Sequence, residues 1–202
     1  MSSVERTPQE TYLQLLAVGS TVLGQALTLL ANTVINEEQL TYTSKHIPGS
    51  TIGKHLRHVL DHYTLLLDAL ETSHPEDSVE LREEHLELNY DERKRNTPVE
   101  TSRDAAKKAY ETIIARLEAF GGLKGGSVPQ LTLPVFLAAD TPHHVTVKSS
   151  LGRELWFCAL HAIHHYSMIR VICGELELAT DNDFGFAPST LKFHQLQDKA
   201  KI

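Results

Sequence analysis

Apolar residues recur at three- and four-residue intervals in four long segments of this chain, and this spacing places them on one side of an α-helix. The first segment opens with Thr7, Pro8 and Glu10, a capping-box pattern with proline at the first helical position. It is predicted to continue as a helix to about Asn36. A chain that contains four such segments is constrained to bury their apolar faces against one another.

The other three helices are predicted from capping residues and breakers at the ends of their apolar repeats. They are expected from a cap at Ser50 or Thr51 to Thr72, from a cap at Thr101 to Gly121 and Gly122, and from a cap at Ser149 or Ser150 to Gly174. Helices with one apolar face each predict an all-α four-helix bundle, a fold that builds ligand and metal sites between facing helices.

The second and third connections between these helices are long. The connection from Glu76 to Pro98 is rich in charged residues, which predicts a solvated segment with short structure at best. Between Ser127 and Lys148, apolar and polar residues alternate at 131–133 and at 145–147. This alternation predicts a short hairpin-like insertion before the last helix.

Length, charge and cysteine content limit the classes of protein that fit. The 202 residues suit one bundle domain over 7–175 with a tail over 176–202 that packs on it. A net charge of -7 has the wrong sign for broad contact with phosphates, so no nucleic acid is expected as a partner. Cys158 and Cys173 lie about 22 Å apart along one predicted helix and cannot pair within it, which favours a reducing compartment. No apolar run approaches the roughly 18 residues of a membrane span and no signal peptide is evident, so we expect a cytoplasmic protein without a membrane partner.

Histidine is unusually frequent, with 12 residues, more than Phe or Tyr. At about 100° per residue, the histidines of the second helix occupy the strip between its apolar and polar faces. On the fourth helix, His161 and His165 flank the packed face, whereas His164 points nearly opposite the core. His161 and His165 are one turn apart and can hold one ion, with a third imidazole supplied by the second helix. The second helix offers His55, His58 and His62.

Three neutral imidazoles bind a divalent cation and leave one or more positions for water or substrate. A single histidine at a helix flank is more often a hydrogen-bonded boundary residue than a ligand, but the combined set favours a metal site. Two alternatives stay open. The ion could only stabilise the bundle, as in a non-catalytic metal-binding or stress-response module, or the bundle could hold no metal and simply carry surplus boundary histidines.

Two stretches resemble a known family. Thr51–Val59, TIGKHLRHV, resembles the second-helix signature of DinB-like proteins, metal-binding four-helix bundles that include bacterial thiol S-transferases. Leu160–His165, LHAIHH, resembles the HxxxH helix of the same family. The resemblance covers about residues 10 to 175. It implies a metal triad of His58, His161 and His165, and a homodimer.

The expected function is that of a divalent-metal-dependent enzyme with a small-molecule substrate. The ion would lower the pKa of a water or thiol, for hydrolysis of a small electrophile or for transfer to it. The resemblance slightly favours a low-molecular-weight thiol. Imidazole ligands suit Zn, Ni, Cu and Fe, of which Zn or Ni is expected here.

Glu154 is the candidate catalytic residue. It lies one helical repeat before His161 on the same flank, where it could accept from an imidazole N–H or act as a general base. An exposed carboxylate in the first turn of the helix, beside the positive end of the helix dipole, is the equal alternative.

Three other features have weaker assignments. Arg93 and Arg95 could clamp an anionic substrate, although a solvated segment with one weak salt bridge is the simpler interpretation. Trp156 lies off the packed face and is expected under the tail or in a subunit interface. His143 and His144 are expected in a loop, with a fourth ligand from there left open.

Overall fold

A computed structural model describes residues 6–73, 85–92, 94–122, 130–140, 142–187 and 189–193. Most of them are helical, and a small sheet of three strands accompanies the helices. The helices are α1 (Pro8–Asn32), α2 (Glu37–Thr41), α3 (Ile52–Ser73), α4 (Arg103–Gly121) and α5 (Leu151–Glu175), with a 3-10 turn at Pro98–Glu100. The strands are β1 (Leu86–Asn89), β2 (Pro134–Asp140) and β3 (His144–Ser150).

The four long helices share one hydrophobic core. α1 and α3 each pack against both α4 and α5, so α3 and α5, which carry the histidines, are direct neighbours. Four tyrosines are among the largest fully buried side chains: Tyr12, Tyr63, Tyr110 and Tyr166. The hydroxyl of Tyr110 donates to the carbonyl oxygen of Leu56 at 3.1 Å, which ties α4 to α3.

α1 has a high mean hydropathy, although it contains no long unbroken apolar run. No charged side chain lies between Glu10 and Glu37, and an 18-residue window of α1 reaches a mean hydropathy of 1.6, enough in length and composition to cross a membrane. Gln, Gly, Ser and Thr interrupt its apolar residues, so the segment has no unbroken apolar run of that length, and its hydropathy is high because it lacks charged residues. Leu23, Ala26 and Leu30 of this helix are completely buried, so its apolar side belongs to the core.

The end of α1 differs from its predicted position. The helix stops at Asn32 rather than near Asn36. Asn36 instead caps α2, with its side-chain oxygen accepting from the backbone N–H of Gln39 at 2.9 Å. Asparagine competes for this role because its short polar side chain satisfies an orphan N–H of a helix start. A short helix therefore occupies part of the predicted loop.

The other helix starts agree closely with their predicted caps. Thr51 accepts from the backbone N–H of Lys54 at the start of α3, and Ser150 accepts from that of Arg153 at the start of α5. α4 is capped by Ser102, one residue after the predicted Thr101. α3 ends at Ser73; Pro75, the predicted breaker, lies outside the described residues.

The sheet has the order β1-β2-β3, with β1 parallel to β2 and β2 antiparallel to β3. The predicted hairpin is confirmed, but its first strand begins at Pro134, because the carbonyls of Leu131 and Leu133 accept from the first residues of α5. The sheet is an addition to the predicted all-α fold. Its strand β1 lies within the second connection, which the sequence predicts to be a solvated segment with short structure at best. Leu86 and Leu88 of β1 are buried. In the sequence their alternation with polar residues is too short to stand out among the flanking charged residues.

The first part of the tail lies against α5. Phe184 is 3% exposed and stacks on Tyr166 with ring centroids 4.9 Å apart. Gly185 has a φ of 71°, and a Cβ there would lie 2.7 Å from the carbonyl carbon of Tyr166, so only glycine fits. The domain division at residue 175 stays a prediction, and residues 194–202 lie outside the described part.

Candidate metal centre

The packing of α3 against α5 gathers five histidines in one place. Each helix is anchored by buried apolar residues such as Leu56 on α3 and Ala162 on α5, and the histidines beside them line the contact between the two helices. The members of this histidine cluster are His55, His58, His62, His161 and His165. His55 and His62 are buried, and the other three are half-buried.

The Nε2 atom of His161 lies close to the Nε2 atoms of both other predicted ligands. His161 Nε2 lies 3.1 Å from His58 Nε2 and 3.1 Å from His165 Nε2. Around an ion with bonds of about 2.1 Å, neighbouring ligands are about 3.0 Å apart at right angles and about 3.4 Å apart in a tetrahedron. Both separations fall in this range, so the donor atoms present fit a divalent ion.

His62 adds a further imidazole to the predicted three. Its Nδ1 lies 3.1 Å from the carbonyl oxygen of His58, and this contact places the ring proton on Nδ1 and makes Nε2 the basic nitrogen. His58, His62 and His161 each offer a ligand nitrogen within 4.8 Å of the others, so this group contains two of the predicted ligands and has His62 in the place of His165. The ring of His62 is held between those of His161, at 4.1 Å, and Tyr90, at 4.5 Å. The sequence places His62 on the same strip of the helix as His58, but it does not show which of the two is the better metal ligand.

Burial keeps two of the imidazoles neutral. It lowers the pKa of His165 to about 2, with further lowering by the neighbouring His58 and His161. It also lowers the pKa of His55 to about 4, with smaller contributions from His164 and Arg57. Neutral imidazole is the form that binds metal, so at pH 7 neither ring has to lose a proton first.

Glu154 is completely buried, which rules out the exposed-carboxylate alternative. One of its oxygens accepts from the hydroxyl of Tyr90 at 3.0 Å. The other accepts from the hydroxyl of Ser149 and from Arg153 at 3.1 Å. Because the Tyr90 ring stacks on His62, Glu154 is joined to the histidine cluster through one aromatic ring. The general-base role stays a prediction.

The remaining predicted residues are more peripheral. His164 is exposed on α5, as its helical angle predicts. In the hairpin, His143 is exposed and His144 bonds to Asp140 at 2.8 Å. Arg95 is exposed, whereas Arg93 lies outside the described residues.

Both cysteines are buried thiols. Burial raises the pKa of Cys158 to about 12 and that of Cys173 to about 11. They therefore stay protonated at neutral pH and pack as small hydrophobic residues.

Arg57 forms two ion pairs beside the cluster that the sequence does not reveal. Its helical angle predicts an exposed position on the polar face of α3, with Lys54 and Asp61, yet it is buried and bonds to Asp61 at 2.6 Å and to Glu100 at 3.2 Å. The 3-10 turn that carries Glu100 packs so closely on α3 that a Cβ on Gly53 would lie 2.1 Å from its carbonyl oxygen. A helical angle cannot reveal this partner, because it comes from a distant segment.

Comparison with known proteins agrees with this arrangement. FK506-binding protein 5 from Rhizopus delemar is 34% identical over 171 residues, which cover 85% of this chain and 36% of that protein. The chain thus spans about a third of the length of this relative. No solved structure gives a significant match. The sequence profile of the DinB superfamily matches residues 22–169, a stretch that includes all five members of the histidine cluster, and the chain therefore belongs to the DinB superfamily.

Proposed function

We propose that this protein is a metal-dependent enzyme built on a four-helix bundle, with one divalent ion held by His58, His161 and His165. The observation that carries the proposal is that the Nε2 atoms of His58 and His165 both lie 3.1 Å from that of His161. The donors are neutral nitrogens with no carboxylate or thiolate among them. Such a set suits Zn or Ni, our preferred ions, better than Mg or Ca.

Three protein ligands leave an open coordination position on the ion. A bound divalent ion would lower the pKa of a water or thiol that occupies this position. The residues of this chain hold the arrangement. His161 and His165 supply two nitrogens from consecutive turns of α5, and His58 supplies the third from α3. The rings of Tyr90 and Phe157 lie against His62 and His161 and shield that side of the cluster from water. The substrate class we propose is a small electrophile, with water or a low-molecular-weight thiol as the second reactant.

One observation favours a second function. His62 offers a fourth nitrogen close to those of His58 and His161. Four protein ligands would close a tetrahedral zinc site, and closed sites are structural. In that case the ion would stabilise the bundle by binding only the folded state, as in a metal-binding or stress-response module.

Metal analysis and spectroscopy separate the two functions. Protein purified without a His-tag should contain about one ion per chain, and X-ray absorption should show three imidazoles with an added oxygen or sulfur ligand. Turnover of a panel of electrophiles, with and without added thiols, should stop on chelation and return with the ion. A four-nitrogen shell with no chelator-sensitive turnover would support the non-catalytic module. Protein that binds no ion would contradict both.

We also propose a cytoplasmic homodimer. Trp156 and Leu160 lie one turn apart on α5 and are 51% and 42% exposed, and exposed aromatic and aliphatic residues of this kind are enriched at interfaces. Two buried, unpaired thiols suit a reducing compartment. Light scattering at micromolar concentration should give twice the chain mass, and Trp156→Glu should give the monomer mass.

A further inference from the structure

A cleft of about 370 Å³ opens between the β2–β3 hairpin and the first turns of α5. Leu137 and Val147 lie opposite each other in the antiparallel register and form an apolar wall. Ser149, Arg153 and Glu154 form the polar side. The cleft therefore offers an apolar and a hydrogen-bonding surface to the same small molecule.

This cleft lies next to the histidine cluster. The guanidinium of Arg153 sits 4.5 Å from the centre of the Phe157 ring, and that ring stacks on His161 at 5.4 Å. On the other side, Glu154 bonds to Tyr90, whose ring stacks on His62. Phe157 thus links Arg153 to His161, and Tyr90 links Glu154 to His62.

The charged side chains of the cleft are Arg153 and Glu154. Lys148 also borders the cleft, but its Nζ lies over the Phe136 ring, on the face of the hairpin opposite Leu137 and Val147. Glu154 is buried and already accepts three hydrogen bonds. The positive end of the α5 helix dipole adds to the positive charge of Arg153.

Arg153 is the residue that can recognise an anion here. It donates to Glu154 through one Nη atom, and 49% of its side chain is exposed. A guanidinium has five N–H donors in a planar fork that matches a carboxylate. Its contact with the face of the Phe157 ring helps to hold the guanidinium at the edge of the cleft.

We infer that this cleft binds the carboxylate end of a small amphipathic substrate, with the carboxylate on Arg153 and the apolar body on Leu137 and Val147. The inference deepens the proposed function, because such a ligand is held one aromatic ring away from the ion site. Binding itself depends on the cleft and not on the ion, so the two proposals can fail separately.

The test uses hexanoate and its uncharged analogue hexanol as probes of the full-length protein, with binding followed by NMR shifts or calorimetry. Hexanoate is expected to bind saturably and hexanol at least tenfold more weakly. Arg153→Gln, which keeps a donor for Glu154, should weaken hexanoate binding about tenfold or more, as expected for a lost charged hydrogen bond. Arg153→Lys should fall in between, because lysine keeps the charge without the fork.

Two further variants serve as control and as a test of the apolar wall. Arg116→Gln is the matched control, since Arg116 bonds to Asp68 and Glu71 on α3, away from the cleft lining; hexanoate binding should not change. Val147 is 49% exposed, so Val147→Ser should fold, and it should weaken hexanoate more than acetate.

The possible outcomes are distinct. Hexanoate that fails to bind, or that binds equally to wild type and Arg153→Gln, would overturn the inference, as would equal binding of hexanol. Arginine-dependent binding that persists after chelation supports the cleft independently of the ion. If that binding persists but no metal-dependent turnover of carboxylate substrates is found, the proposed function fails and the cleft stands.

Discussion

His55 and His165 face each other across the contact of α3 and α5, with their Nδ1 atoms 2.8 Å apart. At this distance one Nδ1 carries a proton and the other accepts it. If His165 uses Nε2 for an ion, it must donate from Nδ1, and His55 then holds its proton on its buried Nε2. A metal-binding histidine usually donates its second ring N–H to a carboxylate or a backbone carbonyl. Here the imidazole of His55 would accept that hydrogen bond from His165.

The first prediction tests this positioning role of His55. His55→Leu removes the acceptor and should raise the Kd for Zn or Ni about 10- to 100-fold. His55→Asn places an oxygen near the former Nδ1 and should stay within a few-fold of wild type. Titration calorimetry measures both, with His164→Leu as an exposed control on the facing helix. Unchanged affinity in His55→Leu would show that the hydrogen bond does not position His165.

The second prediction concerns the ligand set. His58→Ala, His161→Ala and His165→Ala should each lose the bound ion, because the Nε2 atoms of His58 and His165 both lie 3.1 Å from that of His161. His164→Ala should keep it. Metal content per chain is the measurement, and loss in His164→Ala with retention in His165→Ala would refute the assignment.

His62→Ala decides between three and four ligands. If the site has an open position, the variant should retain about one ion per chain and its affinity should change only a few-fold. If His62 closes the site, removing its imidazole should add an oxygen to the X-ray absorption shell and weaken binding strongly.

The third prediction is a pH dependence of the metal-free protein. In the folded state the pKa of His165 is about 2 and that of His55 is about 4, whereas unfolded histidine titrates near 6.5. Below about pH 6.5 the unfolded chain therefore binds more protons, and the free energy of unfolding should fall as the pH drops through 4 towards 2. Urea midpoints of chelated protein measure this. His165→Gln should flatten the curve, and an identical slope in wild type and variant would argue against buried, neutral His165.

The fourth prediction concerns the pH dependence of stability that comes from one carboxylate, Glu175, rather than from the histidines. Glu175 accepts from the hydroxyl of Ser44 at 2.6 Å and from the backbone N–H of Lys45 at 2.8 Å. These hydrogen bonds, the one from Ser44 first, lower its pKa to about 2. Its contribution is complete above an unfolded pKa of about 4.3 and is lost as the pH falls towards 2. Glu175→Gln should thus be less stable than wild type at pH 7 and equally stable at pH 2; a constant difference would contradict this account.

The helices and the histidine positions are the parts that sequence reasoning predicts best. Caps such as Thr7, Thr51 and Ser150 are local signals, and the structure confirms them. β1 is missed because four residues between charged segments carry too short a pattern, and its strand character depends on pairing with β2. The helical angle of Arg57 does not predict its burial, because its partner Glu100 lies in a distant segment of the chain.

Within the site, the helical angles predict which histidines share a strip but not which nitrogen of each ring points where. That direction depends on contacts made by distant residues. The ring of His62 is stacked by Tyr90, which follows β1 in the chain, so its orientation depends on a strand that the sequence does not reveal. The same holds for Glu154, whose flank position is predicted but whose partner Tyr90 is not.

The last prediction separates the two contributions of Tyr90. Tyr90→Phe keeps the ring that stacks on His62 but removes the hydroxyl that donates to buried Glu154 at 3.0 Å. Loss of one donor to a buried carboxylate should lower the free energy of unfolding by about 1 to 3 kcal/mol, while the Kd for the ion should stay unchanged. Tyr90→Leu also removes the ring that stacks on His62, so it should weaken ion binding as well if His62 is a ligand and change the Kd only a few-fold if it is not. Denaturant melts and metal titrations of the two variants give the comparison. If Tyr90→Phe lost metal affinity as much as Tyr90→Leu, the bond to Glu154 rather than the stacked ring would be what orients His62, and Glu154 would act on the metal centre through Tyr90.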